Sequence, residues 1–239
     1  MSLQTQAFFK ECRDVLDDHH DRRERIIKVS RDITAQSKKM IFALHRAAQS
    51  NQKYKEADQK QAELLDLFKK LAIDIQGLNY HRYAKSFSGG FEEFIEAVAF
   101  YHFLLHQDVI SKEQIDNYFK DEQGNMITCL FTPTLQILGL ADFTGELMRH
   151  AIHVVSTGRY EQALNICKLL RKIDLDFEIV STFYMPQLNK KLGALKSSIK
   201  KVEQACYTFQ IRGSEYPKEM YLSIIKNHQE RYEQEQQEN

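Results

Sequence analysis

Two pairs of carboxylates carry the first chemical signal in this chain. In the stretch from Phe87 to His106, FSGGFEEFIEAVAFYHFLLH, Glu93 and Glu96 fall at helical spacing on the same stripe as Phe100 and Phe103. In a second stretch, TLQILGLADFTGELMRHAIHVV, Asp142 and Glu146 lie one turn apart. Their stripe begins with Leu135 and Leu138 and runs on through Arg149 and His153. A core helix ordinarily carries leucines at such positions, because burying a carboxylate is costly unless it has a partner or a metal. If the two helices pack face to face, the four acids converge. All-oxygen ligation suits a hard cation, Mg²⁺ or Mn²⁺. Such an ion clamps a phosphodiester and lowers the pKa of a water nucleophile. The alternative is that the acids pair with Arg149, lysines or histidines inside a helical bundle.

Other metal chemistry is less well supplied. A di-iron carboxylate site needs Glu-x-x-His on two helices. Here Glu96 follows Glu93 at that spacing and Arg149 follows Glu146, so the motif is absent. His102 and His106 are one turn apart, as are His150 and His153, but helix-face histidines are more often packed or exposed than ligating. Cys12, Cys129, Cys167 and Cys206 show neither CxxC nor Cys/His spacing, which argues against structural zinc and for reduced thiols. There is no Walker loop, GxGxxG or GxSxG.

The elements that must position the acids read as helices throughout. From about Phe8 to about Ala48 there is neither Gly nor Pro, and Phe9, Cys12, Leu16, Ile26, Ile33, Met40 or Ile41, and Leu44 recur at helical steps. The other faces of this long helix carry Arg22, Arg23, Arg25, Lys28, Arg31, Lys38, Lys39 and Arg46, a solvated face or a track for phosphates. A second helix is expected from Lys53 to about Ile75, broken by Gly77. The following run, Asn79 to Lys85, mixes basic and aromatic residues, a combination that suits single-stranded nucleic acid. His81, Arg82, Lys85, Lys38 and Arg149 are the candidate nucleic-acid contacts.

A third helix is expected to open at Ser88, Gly89 and Gly90, with Phe91, Phe94, Val98, Tyr101 and Leu105 on one face. Ser111 to Gln114 reads as a capping box for a short fourth helix ending near Lys120, and Asp121 to Asn125 as a turn. Pro133 starts a fifth helix, in which Gly139 and Gly145 flank Asp142 and admit a close neighbour, and Gly158 ends it. Further helices are expected from Tyr160 to Lys172, from Leu188 to Phe209, and from Pro217 to Tyr232, with a polar tail beyond about residue 230. The pattern predicts an all-α bundle of about seven or eight long antiparallel helices in a single domain spanning 1–239.

Composition narrows the class. The chain has 239 residues, 33 basic and 33 acidic, for a formal net charge of zero. A neutral total leaves room for a local basic patch. No apolar run reaches the ~20 residues of a membrane span, and no signal-peptide h-region opens the sequence. A soluble intracellular protein is expected. Phe8, Phe9, Ile41, Phe42, Tyr221, Leu222 and Ile225 are candidates for apolar surface that a partner covers.

Four separated blocks, KVSRDITAQSKKMIFALHR (28–46), GGFEEFIEAVAFYHF (89–103), LGLADFTGELMR (138–149) and KVEQACYTFQIRGSEYPKEM (201–220), together resemble the translin family, in its translin-associated branch more than in translin itself. The likeness runs from about Phe8 to about Lys226. It implies a translin-type helical fold and a barrel-like hetero-oligomeric shell with translin, octameric in its subunit count. It also implies a Mg²⁺-dependent endoribonuclease, with Mn²⁺ as a substitute. The substrate class is single-stranded or nicked RNA, with single-stranded DNA as a further ligand; the cellular settings are passenger-strand removal in RNA silencing and transfer-RNA processing. The family motifs E-[FY]-[IV]-E-A-V and A-D-[FL]-T-G-E-L place the catalytic carboxylates at Glu93, Glu96 and Asp142, with Glu146 adjoining as a metal neighbour. The basic import tract of some relatives is not found before the first helix, so the expected location is the cytoplasm, with the nucleus second. A non-catalytic, nucleic-acid-binding scaffold for translin is the competing function.

Overall fold

A computed structural model describes residues 3–50, 52–120 and 132–212. Within them the chain forms seven α-helices: α1 (Leu3–Ser50), α2 (Lys55–Asp74), α3 (Leu78–His106), α4 (Lys112–Asn117), α5 (Pro133–Ser156), α6 (Tyr160–Glu178) and α7 (Pro186–Arg212), with one 3-10 turn at Thr182–Tyr184. No strand is formed among the described residues. The expected helix from Pro217, the turn at Asp121 to Asn125, Cys129 and the polar tail lie outside the described residues. So do Tyr221, Leu222 and Ile225.

Local signals account for most of the boundaries. Ser111 accepts from the Gln114 amide while the Gln114 side chain accepts from the Ser111 amide, which closes the capping box of α4. Pro133 occupies the first turn of α5, where its missing N–H costs nothing. Gly158, at φ 80°, supplies the left-handed residue after α5 that a residue with a Cβ resists. α6 outruns its expected end near Lys172, because Ile173 and Phe177 continue its buried face.

One expectation fails in an informative way. Ser88, Gly89 and Gly90 do not open a helix; α3 begins at Leu78 and passes straight through them. Gly90 is there for a crossing. A Cβ on it would stand 2.9 Å from Ser30 Oγ and 3.0 Å from the Ser30 carbonyl oxygen of α1. A glycine inside a helix costs about 1 kcal/mol relative to alanine, and the contact with α1 offsets it.

The helices join into one continuous cluster of buried side chains. Phe68 of α2 sits among Phe91, Phe94 and Phe119, with ring centroids 4.9, 4.9 and 5.0 Å away in edge-to-face arrangements, the geometry aromatic quadrupoles favour. α1 and α2 run antiparallel, with Arg25 of α1 paired to Asp74 of α2 and Arg46 to Glu56. So do α2 and α3, where Asp58 accepts from Tyr101. α1 and α3 therefore run in the same direction, and their contacts advance in step, from His19 and Tyr83 to Lys38 and Glu93 to His45 and Phe100. α3 in turn packs on α5, and α5 on α7. That stacking sets the acids of α3 between α1 and α5.

The apolar surface is distributed differently from the expectation: Leu16, Ile73, Leu78, Ile179 and Phe183 are also exposed. Ile41 is 5% exposed and belongs to the core, whereas Phe8 and Phe9 are each 60% exposed and Phe42 is 56% exposed. Leu105 has turned outward, while Phe91, Phe94 and Val98 are fully buried.

Candidate active site

Close contact between α3 and α5 creates the site. Gly139 lies against the turn of α3 that bears the acids; a Cβ there would stand 2.7 Å from Ile95 Cβ and 2.8 Å from the Glu92 carbonyl oxygen. Only a bare α-carbon permits that approach. Gly145, the other glycine flanking Asp142, has nothing within 4 Å of its would-be Cβ. The expectation that both glycines admit a neighbour is corrected: Gly139 does, and Gly145 meets none among the described residues.

The expected acids are brought together. Burial pushes the Glu96 carboxyl up to about 8, and the charges of Glu93, Asp142 and Glu146 push the same way. Glu96 makes no hydrogen bond or ion pair with any other described residue. Glu93 is raised as well, by burial above all, against the pull of Lys38, whose Nζ lies 3.2 Å from Glu93 Oε1. Asp142 and Glu92 both accept from Lys191 Nζ, the latter at 2.9 Å. Burial works to lower the Lys191 pKa, but its bonds to Asp142 and Glu92 outweigh that and leave it raised. Glu146 Oε2 lies 2.5 Å from His45 Nε2 and 3.9 Å from Arg149. The His45 ring packs on Phe100 at 4.5 Å, which fixes its plane.

Three of the four acids thus hold a basic partner and the most deeply shifted one holds none. No three His, Cys, Asp or Glu side chains stand as a metal-ligand set among the described residues. The donor chemistry fits a hard divalent ion: carboxylates of two helices, all oxygen, around a Glu96 that Lys191 offsets only from a distance.

A translin-family model matches residues 21–213. The chain belongs to the translin family. It is 33% identical over 249 residues to translin-associated protein X of Rattus norvegicus, covering 95% of this chain and 86% of that protein. The translin-associated protein X homolog of Schizosaccharomyces pombe is 29% identical over 224 residues, covering 90% and 91%. Human translin is 22% identical over 134 residues, 56% of this chain and 58% of that one. Among solved structures, apo-NeC3PO superposes with a TM-score of 0.64 at 21% identity, covering 85% of this chain and 96% of that one. AfC3PO in complex with duplex RNA gives 0.63 at 22% identity, covering 87% and 99%. At these identities the two structures establish the translin-type fold.

On this translin-family scaffold the candidate nucleic-acid residues divide. Lys38 and Arg149 stand at the rim of the acid cluster, 56% and 52% exposed, with Arg149 also 5.4 Å from the Phe42 ring centroid. His81, Arg82 and Lys85 are exposed on the first turns of α3. Arg82 there lies 2.6 Å from a ring nitrogen of His19, which sits about 28 Å along α1 from Lys38 at 1.5 Å per residue. They belong to another part of the surface. The His102 and His106 rings lie 4.4 Å apart, tilted to each other, beyond the acids on α3. His150 packs against Phe100 and Phe103, and burial lowers its pKa to about 4.

Lys191, Glu92 and His45 escaped the sequence reading. Lys191 had a signal: it shares a helical stripe with Leu188 and Leu195, both fully buried. A lysine on a buried stripe is as anomalous as a glutamate there.

The Glu96 shift has a measurable consequence. In the unfolded chain its carboxyl ionises near the ordinary 4.5, in the fold near 8. Between those values the folded state keeps a proton that the unfolded state has released, so stability is greatest below the lower pKa and is lost as pH rises through the higher one. In EDTA, the wild-type melting temperature should fall relative to that of Glu96→Gln as pH rises from about 5 to about 8. Parallel pH profiles for the two proteins would show that Glu96 ionises normally.

Proposed function

We propose that this chain is the catalytic, translin-associated subunit of a hetero-oligomer with translin, and that it cleaves single-stranded or nicked RNA in a Mg²⁺-dependent reaction at Glu93, Glu96 and Asp142. The observation that carries this reading is Glu96. A half-buried carboxyl at the α3–α5 contact, among three other acids and with no cation of its own, is destabilising for a scaffold and useful to an enzyme that binds a divalent ion.

The roles divide by position. Glu93, Glu96 and Asp142 would hold the ion, and Glu96 gives up its proton as they do so. His45 and Arg149 hold Glu146, so that it acts on the cluster from beside it. Lys38 and Arg149, exposed at the rim, attract and orient the phosphates. When bound, Mg²⁺ supplies the positive charge that opposes the phosphodiester transition state and lowers the pKa of an attacking water. Mn²⁺ satisfies the same donors. Translin would dock on helix faces near the C-terminal region and on the exposed Phe8 and Phe9 of α1, and the working location is the cytoplasm, with nuclear entry through a partner.

The scaffold reading has one observation in its favour: Glu93, Asp142 and Glu146 already have basic partners. Cleavage of single-stranded RNA by the complex reconstituted with translin separates the two. Mg²⁺-supported cleavage that EDTA abolishes is expected. Equal cleavage in both removes the metal-dependent mechanism, and none in either leaves the scaffold role.

Phosphate contacts can be read apart from chemistry. Lys38→Ala and Arg149→Ala should each weaken RNA binding alike across sequences and reduce the slope of log affinity against log salt by about one. His81→Ala and Lys85→Ala, remote from the acids, should leave cleavage unchanged. Fluorescence anisotropy at several salt concentrations measures the slopes, and unaltered slopes for both rim variants would remove them from the RNA path.

A further inference from the structure

The acid cluster already holds a cation, the ammonium of Lys191. Its stem leaves the second turn of α7 between the buried Leu188 and Leu195, and lies along apolar surface while the charged head reaches the acids. Nζ donates to Glu92 Oε2 at 2.9 Å, to the Leu138 carbonyl oxygen at 3.4 Å, and to Asp142 Oδ2 at closer range. Two carboxylates and a backbone carbonyl are the donors a hard cation takes. Gly139 makes the arrangement possible, since its bare α-carbon lets the turn of α5 between Leu138 and Asp142 approach Glu92.

Charge sets the two cations against each other. An ammonium hydrogen-bonded to Asp142 and a divalent ion coordinated by it at about 2.1 Å would stand within a few ångströms of each other. Two cations so placed repel in a half-buried site, where screening is weak. Without either of them, Glu92 and Asp142 lose the cation they share, and Asp142 stands beside Glu93 and Glu96 with only Lys38, on Glu93, as a counter-charge.

We propose that Lys191 is an internal counter-cation that occupies Asp142 in the ion-free protein and releases it when a divalent cation binds, so that Lys191 sets the affinity of the site by competition. The inference rests on reading the acids as a divalent-ion site. Lys191 is here a positioning residue: it keeps Asp142 facing Glu92 and prevents the acids from splaying apart.

Two measurements on the complex with translin test it. The first is Mn²⁺ binding by titration calorimetry to wild type and to Lys191→Gln, which keeps much of the side chain and removes the charge. Binding about tenfold tighter in the variant is expected, the effect of removing a partly exposed competing charge. The second needs no variant. Acylation of Lys191 by an amine-reactive ester, followed by peptide mass spectrometry, should rise several-fold in saturating Mg²⁺ over EDTA as the ammonium leaves its three acceptors. Equal or weaker Mn²⁺ binding by Lys191→Gln, with wild type still binding, overturns the role of Lys191 and leaves the divalent site standing. Labelling that Mg²⁺ does not change overturns it as well, and decides alone if Lys191→Gln fails to fold. Failure of both proteins to bind Mn²⁺ removes the site and this inference together.

Discussion

Asp142→Asn in the reconstituted complex should lower RNA cleavage by about a hundredfold or more, the scale of losing one preorganised electrostatic element. The amide keeps the shape of the side chain and removes its charge. It also loosens the bond from Lys191, which holds Asp142 in the ion-free protein; the loss in the loaded complex is that of the ion ligand. Glu93→Gln and Glu96→Gln should behave alike, and the triple variant should be little slower than the slowest single one, because residues that act as a unit are not additive. Folding should survive in all three. Glu96→Gln should even be the more stable protein near pH 8, where wild type must either ionise a buried carboxyl or hold a proton against solution. RNA affinity should persist or rise, since a negative charge has gone from beside the phosphates. Glu146→Gln should cost less, because Glu146 is held by His45 and Arg149 and acts from beside the cluster. Single variants that cut RNA at the wild-type rate would end the catalytic assignment of these acids.

Gly139→Ala should be among the most damaging small substitutions in the chain, at about 2–3 kcal/mol of stability, the upper part of the range for forcing an extra methyl into a packed contact. Its new Cβ meets the Ile95 Cβ and the Glu92 carbonyl oxygen. Neither can swing aside as the end of a flexible side chain would, so α3 and α5 must separate. Separation moves Asp142 and Glu146 away from Glu93 and Glu96, and cleavage should fall with stability. Gly145→Ala, six residues on in the same helix, is the control. Nothing lies within 4 Å of its Cβ, and alanine should be neutral or stabilising by about 0.5–1 kcal/mol through helix propensity. Chemical denaturation of the two variants should give opposite signs. A Gly139→Ala protein as stable as wild type would mean that the α3–α5 crossing is looser than its backbone contact implies.

What the sequence alone determined is the set of anomalies. Helical spacing placed Glu93, Glu96, Asp142 and Glu146 on otherwise apolar stripes, and that was enough to name the acids, because a period of 3.6 residues fixes which side chains share a face. The long α1, the capping box at Ser111 and the start of α5 at its proline were legible for the same reason: each is set by residues within a turn or two. Partnerships between helices were not. Gly89 and Gly90 read as a helix start because a glycine pair inside a helix is locally unfavourable; only the crossing with Ser30 on α1 gives Gly90 its reason. Gly139 and Gly145 looked alike until α3 lay against one of them. Lys191 stands 49 residues from Asp142 in the chain, and no local pattern states that α7 returns to α5 with its ammonium facing Glu92. His45 and Glu146 are 101 residues apart. His81, Arg82 and Lys85 carried the right chemistry for RNA, yet the length of α1 puts them well away from the acids. Spacing along one helix is written in the sequence by its period. Which faces meet depends on how closely the backbones can approach, and only the tertiary structure settled that.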